Sequence, residues 1–251
     1  MEKTTNKQQI VYGLRPVIEA IASGQQVERV LLQNGIGGPL FGELKNMIRE
    51  HQVPFQFVPV EKLNKMTSGN HQGVVATIGA VKYKKFMDLA ETWEKPALVV
   101  MLDHVTDVRN MGAIARTAEC TGVDALVIPD HGSAAMNEDA VKTSSGALLR
   151  LPVCREQNLK TVVNIAKQCG FQIVAATEKG NIHFRKVDYR QPTLIIMGNE
   201  EMGVSGELLK MSDIRAFIPI KGEVASLNVS VAAGVIMYEA LEQRDKRYVS
   251  A

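Results

Sequence analysis

The stretch ALVVMLDHVTDVRNMGAIARTAEC (97–120) decides the fold class, because it joins two different sequence patterns. Its first six residues (97–102) are a continuous apolar run, which is typical of a strand buried on both faces. From Asn110 to Thr121 the apolar residues have helical spacing. A buried strand, a short loop and a helix form the repeating unit of a parallel α/β sheet.

The same alternation continues to the end of the chain. The patterns predict further strands and helices, with strands at 124–129, 171–177, 193–198 and 214–220 and helices at 137–142, 159–169 and 227–242. We therefore expect an α/β domain over 97–251, built on a parallel sheet. Ligands of such sheets bind beyond the carboxyl ends of the strands, so the loops after the strands are the places to look for a site.

The residues before this domain predict a smaller α/β domain over 1–81, followed by a charged linker over 82–96. Strand patterns occupy 27–33, 54–60 and 71–81, and helical patterns occupy 14–23, 40–51 and 61–67. Residues 1–85 carry a net charge of +5, whereas the remainder carries −3. A basic module of this kind indicates binding of a polyanion such as nucleic acid; a chance imbalance of a few charges is the alternative.

Composition excludes several classes of protein. Apolar residues make up 45% and charged residues 22%, as in ordinary globular proteins, and no apolar run approaches the roughly 18 residues that span a bilayer. The segment MEKTTNKQQI (1–10) lacks the apolar core of a secretory signal, so we expect a cytoplasmic protein with no membrane partner. The three cysteines are too widely spaced for a metal site and predict buried free thiols, and the five scattered histidines predict no metal site either.

Three loops carry polar residues that could do chemistry. The first (102–122) contains Arg116, the second is IMGNEEMGVS (196–205), and the third is IPIKGEVASLNVSVAAGVIMYEAL (218–241). Each has a structural alternative: Asp107, Asn110 and Asn228 could simply cap helices, and the second loop could be an ordinary strand-to-helix turn. The chain has no G-x-G-x-x-G, no G-x-x-x-x-G-K-[ST] and no G-x-S-x-G sequence, which argues against a nicotinamide oxidoreductase, a P-loop enzyme and a serine hydrolase.

Taken together, the three loops resemble the three motifs of the SpoU (TrmH-type) family of RNA ribose 2′-O-methyltransferases. The matches are Asn110, Gly112 and Arg116-Thr117-Ala118 in the first motif, Gly198, Glu200 and Gly203 in the second, and SLNVSVA (226–232) in the third. The stretches YGLRPVIEAI (12–21), HQGVVA (71–76) and KTSSGALLRLPV (142–153) are also similar to family segments. Val108 stands where the family has proline, which loosens that turn but leaves Asn110 and Arg116 in register.

This resemblance implies a fold, a cofactor and a site. The fold would be a catalytic domain tied into a trefoil knot, with an N-terminal RNA-binding domain. S-adenosylmethionine would lie bent in the knot, and by position its binding residues would be Thr177, Gly198, Ile218, Ile220 and Leu227. Arg116 would contact the ribose hydroxyl or its adjacent phosphate, and the residues orienting the substrate and Arg116 would be Asn110, Glu200, Ser226 and Asn228.

The resemblance also implies partners and a reaction. Family members are dimers whose final helices pack together, with both chains shaping the active site, so a homodimer is expected. The implied substrate is a guanosine ribose in large-subunit ribosomal RNA. A transfer-RNA substrate is the first alternative, and a non-catalytic RNA-binding protein that assists ribosome assembly is the second. Because a binding protein need not keep Asn110, Arg116, Glu200 and Asn228, their presence favours an enzyme.

Overall fold

A computed structural model of the chain describes residues 10–22, 24–79, 81–199, 201–223 and 226–245. The chain divides into two compact units. The first runs to Lys82 and also includes Ala135–Asp139, whereas the second comprises Tyr83–Ala134 and the residues from Ala140 onward.

The first unit is a four-stranded sheet with helices on both of its faces. Its elements are β1 (Ile10–Tyr12), α1 (Leu14–Ala22), β2 (Val27–Gln33), α2 (Pro39–Glu50), β3 (Phe55–Val58), α3 (Val60–Met66) and β4 (Val74–Ile78). The strand order is β1-β4-β2-β3, in which only β2 and β3 pair in parallel. Apolar residues of α1 and α2 pack with Val30 and Leu32, whereas Leu63 of α3 packs with Leu31 on the other face. The predicted strand over 27–33 is confirmed with the same bounds.

The second unit is built on a larger sheet. Its strands are β5 (Tyr83–Lys84), β6 (Leu98–Asp103), β7 (Ala125–Pro129), β8 (Val153–Glu156), β9 (Gln172–Ala176), β10 (Ile182–His183), β11 (Thr193–Gly198) and β12 (Ile214–Phe217). Its helices are α4 (Phe86–Ala90), α5 (Val108–Cys120), α6 (Glu138–Thr143), α7 (Leu159–Gln168), α8 (Gly206–Met211) and α9 (Val229–Arg244). The first two residues of α6 are assigned to the first unit.

Every strand pair in this second sheet is parallel, which confirms the predicted parallel α/β domain. The strand order is β10-β12-β9-β11-β6-β7-β8-β5. All residues of β6, β7 and β11 are buried, because helices cover the sheet. Residues of α4, α7 and α8 pack with Val99 and Met101, while α5 packs along α9 and α9 contacts β11. This order places the carboxyl ends of β12, β9, β11, β6 and β7 side by side at one edge.

Several element bounds differ from the sequence prediction by a few residues, and three of these differences have a clear local reason. The predicted strand over 214–220 ends at Phe217, since Pro219 has no N–H with which to continue the ladder. Helix α5 begins at Val108 because the carboxylate of Asp107 caps it, accepting from the backbone N–H groups of Arg109 at 2.7 Å and Asn110 at 3.0 Å. Helix α9 begins at Val229 because Asn228 is its cap.

The segment expected to be a linker, 82–96, belongs to the second unit from Tyr83 onward. Tyr83 and Lys84 pair in parallel with β8, and Phe86 is fully buried. The rings of Phe86, Trp93 and Phe171 lie 5.8 to 6.5 Å apart in edge-on and tilted arrangements. Burial of its aromatic side chains therefore holds this segment against the second sheet, although its charged residues suggested a linker.

The sequence predicted that all three cysteines are buried, but only one of them is. Cys154 lies in the core and burial raises the pKa of its thiol to about 12, so it packs as an apolar residue. Cys120 and Cys169 are exposed, and the prediction was wrong for these two because each lies in the last turn of a helix or just beyond it. Within the described part of the chain, no helix is both long enough and apolar enough to cross a membrane.

Candidate active site

A pocket of about 410 Å³ opens at the carboxyl ends of β9, β11 and β12. This volume lies in the range of roughly 300–1,000 Å³ that is usual for small-molecule sites. All five residues that the sequence suggested for cofactor binding line it, namely Thr177, Gly198, Ile218, Ile220 and Leu227. They come from three separate segments, and the parallel sheet brings these segments together because its strands end at a common edge.

One wall of the pocket is the tight loop after β11. The backbone N–H of Gly203 donates to the carbonyl of Asn199 at 3.1 Å, and the Asn199 side chain accepts from the N–H groups of Glu201 and Met202 at 3.1 and 2.7 Å. A Cβ atom placed on Gly198 would overlap the backbone of Gly203 and Val204. Only glycine therefore fits at the end of β11 while the loop is closed over it.

A second wall is the loop after β9, which is pressed against β12. The N–H of Thr177 donates to the carbonyl of Ala216 at 2.9 Å, and that of Asn181 donates to Arg215 at 3.1 Å. A Cβ on Gly180 would come within 2.6 Å of the Arg215 carbonyl oxygen. This close approach leaves the polar side chains of Thr177, Glu178 and Lys179 at the pocket.

The lining of the pocket suits an amphiphilic ligand. Ile218, Ile220, Leu227 and Met197 offer apolar surface for a flat ring, whereas Glu178, Lys179 and Ser226 offer charge and hydrogen bonds. A nucleoside that carries a charged amino-acid tail has this combination of properties. The sequence analysis did not predict three other residues that line the pocket, namely Asn199, Lys179 and Met202. Asn199 could have been found, because a turn-forming residue directly after an apolar strand indicates a loop at the carboxyl edge of the sheet.

A second cluster of predicted residues joins the starts of α5 and α9. The side-chain amide of Asn228 donates to the side-chain oxygen of Asn110 at 3.0 Å. The Asn228 oxygen in turn accepts from the backbone N–H of Ser230 at 2.9 Å and from its hydroxyl at 2.6 Å. The two asparagines are thus held in a fixed orientation beside Ser226 and Leu227 of the pocket wall. The Asp107 cap keeps this turn ordered even though Val108 replaces the family's proline.

Arg116 lies apart from that cluster. It follows Asn110 by six residues, which places it about 9 Å further along α5 and about 120° around the helix axis. Its side chain is exposed and, among the residues that the structure describes, it has no hydrogen bond or ion pair. Arg116 is also not among the residues that line the pocket, so a single chain does not bring it to the pocket wall. Glu200, the remaining predicted residue, falls outside the described residues.

Comparison with known proteins gives a consistent family assignment. The model of the SpoU rRNA Methylase family matches residues 97–238, and the model for RNA 2′-O ribose methyltransferase substrate binding matches residues 10–84. A Staphylococcus saprophyticus protein assigned to the TrmH family of tRNA/rRNA methyltransferases is 33% identical over 239 residues, which cover 94% of this chain and 96% of that protein.

Solved structures are similar over most of the chain. The SpoU methyltransferase AviRb from Streptomyces viridochromogenes, in complex with S-adenosylmethionine, has a TM-score of 0.61 and 25% identity and covers 96% of this chain and 92% of its own. An rRNA methyltransferase from Sinorhizobium meliloti, also bound to S-adenosylmethionine, has a TM-score of 0.60 and 25% identity over 92% of this chain and 85% of its own. With a family model over more than half of its length and a relative matched almost end to end, the chain belongs to the SpoU rRNA methylase family and is an RNA methyltransferase.

Proposed function

We propose that the protein transfers the methyl group of S-adenosylmethionine to a ribose 2′-hydroxyl of RNA, at a guanosine of large-subunit ribosomal RNA. The observation that carries this proposal is the pocket at the carboxyl edge of the sheet, where Thr177, Gly198, Ile218, Ile220 and Leu227 converge. The family match of the first unit to an RNA substrate-binding domain supports the choice of RNA. The trefoil knot that the resemblance implies remains a prediction.

The residues of the pocket fit this cofactor and would position it. When bound, S-adenosylmethionine supplies a methyl group made electrophilic by its sulfonium. The apolar side chains of Ile218, Ile220 and Leu227 would hold the adenosyl part, and backbone groups of the Gly198 loop would hold the polar part. Ser226 and the Asn110–Asn228 pair would orient the ribose, because the hydrogen bond between the two asparagines joins the starts of α5 and α9 beside Ser226. Positioning of this kind reaches effective molarities of roughly 10⁵–10⁸ M.

Arg116 would anchor the phosphate beside the target ribose and stabilise charge that develops on its oxygen. A guanidinium is planar, carries five N–H donors and matches phosphate oxygens well. A guanidinium does not readily give up a proton. We therefore assign it an electrostatic role rather than that of a base.

We infer that the protein acts as a homodimer through one face of α9. Val231 and Tyr238 on this helix are 52% and 55% exposed, which is unusual for large apolar side chains at such a spacing. Between them lies Gly234, and a Cβ placed there would meet only Thr117 of α5, at an ordinary 3.8 Å. Packing within one chain does not require glycine at this position, whereas close approach of a second helix would favour it.

The same face explains the position of Arg116. A Cβ placed on Gly234 of the proposed dimer face would meet Thr117, the residue that follows Arg116, so a second copy packed on this face would lie near Arg116. A two-fold interface would then deliver Arg116 of one chain to the pocket of the other. In this arrangement each pocket would receive the Arg116 guanidinium of the other chain, which its own chain does not place there.

The dimer interface can be tested by adding charge to it. The double variant Val231→Lys/Tyr238→Lys should sediment as a monomer at concentrations where the wild type is a dimer, because two desolvated cations per chain oppose association. Analytical ultracentrifugation measures this directly. Met87→Lys is the matched control, since Met87 is also 55% exposed but lies on α4. A monomeric wild type, or a double variant that still dimerises, contradicts the interface.

The substrate can be identified by mapping 2′-O-methyl groups in total RNA from strains with and without this gene. We expect one guanosine of large-subunit ribosomal RNA to lose its 2′-O-methyl group when the gene is removed, and to regain it when the purified protein and S-adenosylmethionine are added to that RNA. A lost site in transfer RNA would replace the ribosomal assignment by the first alternative. If no site changes and no RNA is methylated in vitro, the enzyme reading is wrong and RNA binding without catalysis is favoured.

A further inference from the structure

Two phenylalanines lie exposed on the outermost strand of the first unit. Phe55 and Phe57 of β3 are 41% and 46% exposed, although phenylalanine is among the residues that are most often buried. Their rings lie 5.9 Å apart with their planes at 87°, so together they form an open corner. Among the strands that the structure describes, β3 pairs only with β2 and is the last of its sheet. The corner is therefore accessible to a partner.

Both rings project from the face of the sheet that carries α2. Phe55 and Phe57 are the register partners of Val30 and Leu32 in a parallel pair, so their side chains lie on the same face as those two residues. Val30 and Leu32 pack with apolar residues of α1, α2 and β4. Because the two helices cover the inner strands, the rings on β3 stay exposed beside α2.

Two basic residues of α2 lie on the flank of the helix that faces β3. The core residues of α2 are Leu44 and Ile48. Lys45 and Arg49 each follow one of them, about 100° further around the helix axis. Parallel strand–helix–strand connections are right-handed, and in a right-handed connection from β2 through α2 this flank faces β3. Glu43 lies on the opposite flank, towards α1.

The two cations are available to a ligand. Lys45 and Arg49 are exposed and, within the described part of the chain, neither forms an ion pair. They lie one helical turn apart, so their charged groups follow the same direction along α2. Together with Phe55 and Phe57 they make a surface that is both aromatic and basic, which we call the β3 rim.

The β3 rim suits an unpaired nucleotide. Because the two phenylalanine rings are perpendicular, a base can stack on the face of one ring while its edge meets the face of the other. The ammonium of Lys45 and the guanidinium of Arg49 can then contact the phosphates on either side of that base. Stacking on aromatic side chains beside basic groups is a general way in which proteins hold single-stranded RNA.

A second copy of the chain is a poorer occupant of the β3 rim. Strand β3 has only four residues and lies between Pro54 and Pro59, neither of which can donate a backbone hydrogen bond to an added strand. Two copies that met at this surface would also bring like charges together. Residues 1–85 carry a net charge of +5, which favours a polyanion over another basic surface.

We propose that the β3 rim binds an unpaired nucleotide of the RNA substrate, with its base stacked in the corner of Phe55 and Phe57. This inference rests on the proposed function, because it takes RNA as the substrate, and it adds the surface through which the first unit holds that RNA. The rim lies within the residues that match the RNA substrate-binding model, 10–84. It should therefore affect the capture of RNA and not the methyl transfer itself.

The test replaces both rings by an apolar side chain that cannot stack. The double variant Phe55→Leu/Phe57→Leu is assayed by single turnover with labelled S-adenosylmethionine and total RNA from a strain that lacks the gene, at increasing enzyme concentrations. We expect the enzyme concentration at half-maximal rate to rise about 5- to 150-fold, which corresponds to the loss of one stacked base. The maximal rate, the affinity for S-adenosylmethionine and the unfolding temperature should not change.

Two further variants separate stacking from other roles. Phe55→Tyr/Phe57→Tyr keeps both planar rings and should capture RNA as the wild type does. Met87→Leu is the matched control, since Met87 is an exposed apolar residue of the second unit, and it should have no effect. Lys45→Ala/Arg49→Ala should weaken RNA capture and reduce the slope of log affinity against log salt by about 1–2, because two phosphate contacts are lost.

Each outcome supports or overturns the proposal. An unchanged half-maximal concentration in Phe55→Leu/Phe57→Leu overturns it, and so does an equal rise in the tyrosine variant, since tyrosine stacks as well as phenylalanine. A loss that comes with a lower unfolding temperature, or with a smaller sedimenting species, overturns it in favour of a structural or subunit contact. A wild type that methylates no RNA removes the proposed function and this inference with it. A methylating wild type beside a leucine variant that captures RNA normally removes only the inference.

Discussion

Replacing Arg116 by alanine is expected to abolish methyl transfer while leaving the affinity for S-adenosylmethionine unchanged. The guanidinium does not line the pocket in its own chain, so its loss should not disturb cofactor binding. It is exposed on α5 and directly precedes Thr117, which a Cβ on Gly234 of the proposed dimer face would meet. Loss of one donor to a developing oxyanion costs on the order of 10²–10³-fold in rate, and loss of a phosphate anchor adds to this.

The measurement combines single-turnover kinetics with calorimetric titration of the cofactor. Arg116→Lys should recover only part of the activity, because an ammonium keeps the charge but cannot form two parallel hydrogen bonds to a phosphate. Arg150→Ala is the matched control. Arg150 is also an exposed arginine, and it pairs at 3.3 Å with Glu119 of α5, the helix that carries Arg116. An Arg116→Ala variant with near-normal turnover would show that the assignment of Arg116 is wrong.

How far the sequence alone predicts the site is clear from the pocket. The five residues that the resemblance implies for cofactor binding all line it, and they converge because strands β9, β11 and β12 of one parallel sheet end at the same edge. Apolar runs such as 97–102 and 193–198 are long enough to predict these strands. The pairing of Asn110 with Asn228 follows from two helix starts that meet at that edge, and the motifs suggested both residues.

Other features depend on geometry that no local pattern contains. Whether Arg116 faces the pocket depends on how α5 is rotated about its axis. A motif match gives the position of a residue along the helix but not which side of the helix faces the pocket. The orientation of the His104 ring depends on a left-handed backbone and on contacts with Asp103 and Gly132, and Gly132 lies 28 residues further along the chain. The burial of Phe86 was not predicted, because the many charged residues of 82–96 indicated a solvent-exposed linker. In each case tertiary contacts, rather than residue type, decide the outcome.

Gly198→Ala should disable the pocket. The added methyl group would overlap the backbone of Gly203 and Val204, and backbone cannot move aside as the end of a flexible side chain can. The loop after β11 must therefore shift, at a cost of about 1–3 kcal/mol. If that cost falls on the cofactor-binding conformation, it weakens the affinity for S-adenosylmethionine roughly 5- to 150-fold.

Calorimetry with S-adenosylmethionine and thermal unfolding together test this prediction. Gly206→Ala is the matched control, because Gly206 follows the same loop at the start of α8 and a Cβ there would meet no atom within 4 Å. The control should bind the cofactor as the wild type does. Normal affinity in Gly198→Ala would mean that the loop is not a wall of the cofactor site.

The two impaired variants can then be combined, at an S-adenosylmethionine concentration too low to fill the Gly198→Ala pocket, to locate the active site between chains. Arg116→Ala retains an intact pocket, and Gly198→Ala retains Arg116. If Arg116 of one chain serves the pocket of the other, mixed dimers contain one complete site, and an equal mixture should recover about a quarter of the wild-type activity after subunit exchange. If Arg116 serves its own chain, no mixed dimer has a complete site and the mixture stays inactive. Recovery would also account for an arginine that the single chain leaves exposed and without a partner among its described residues.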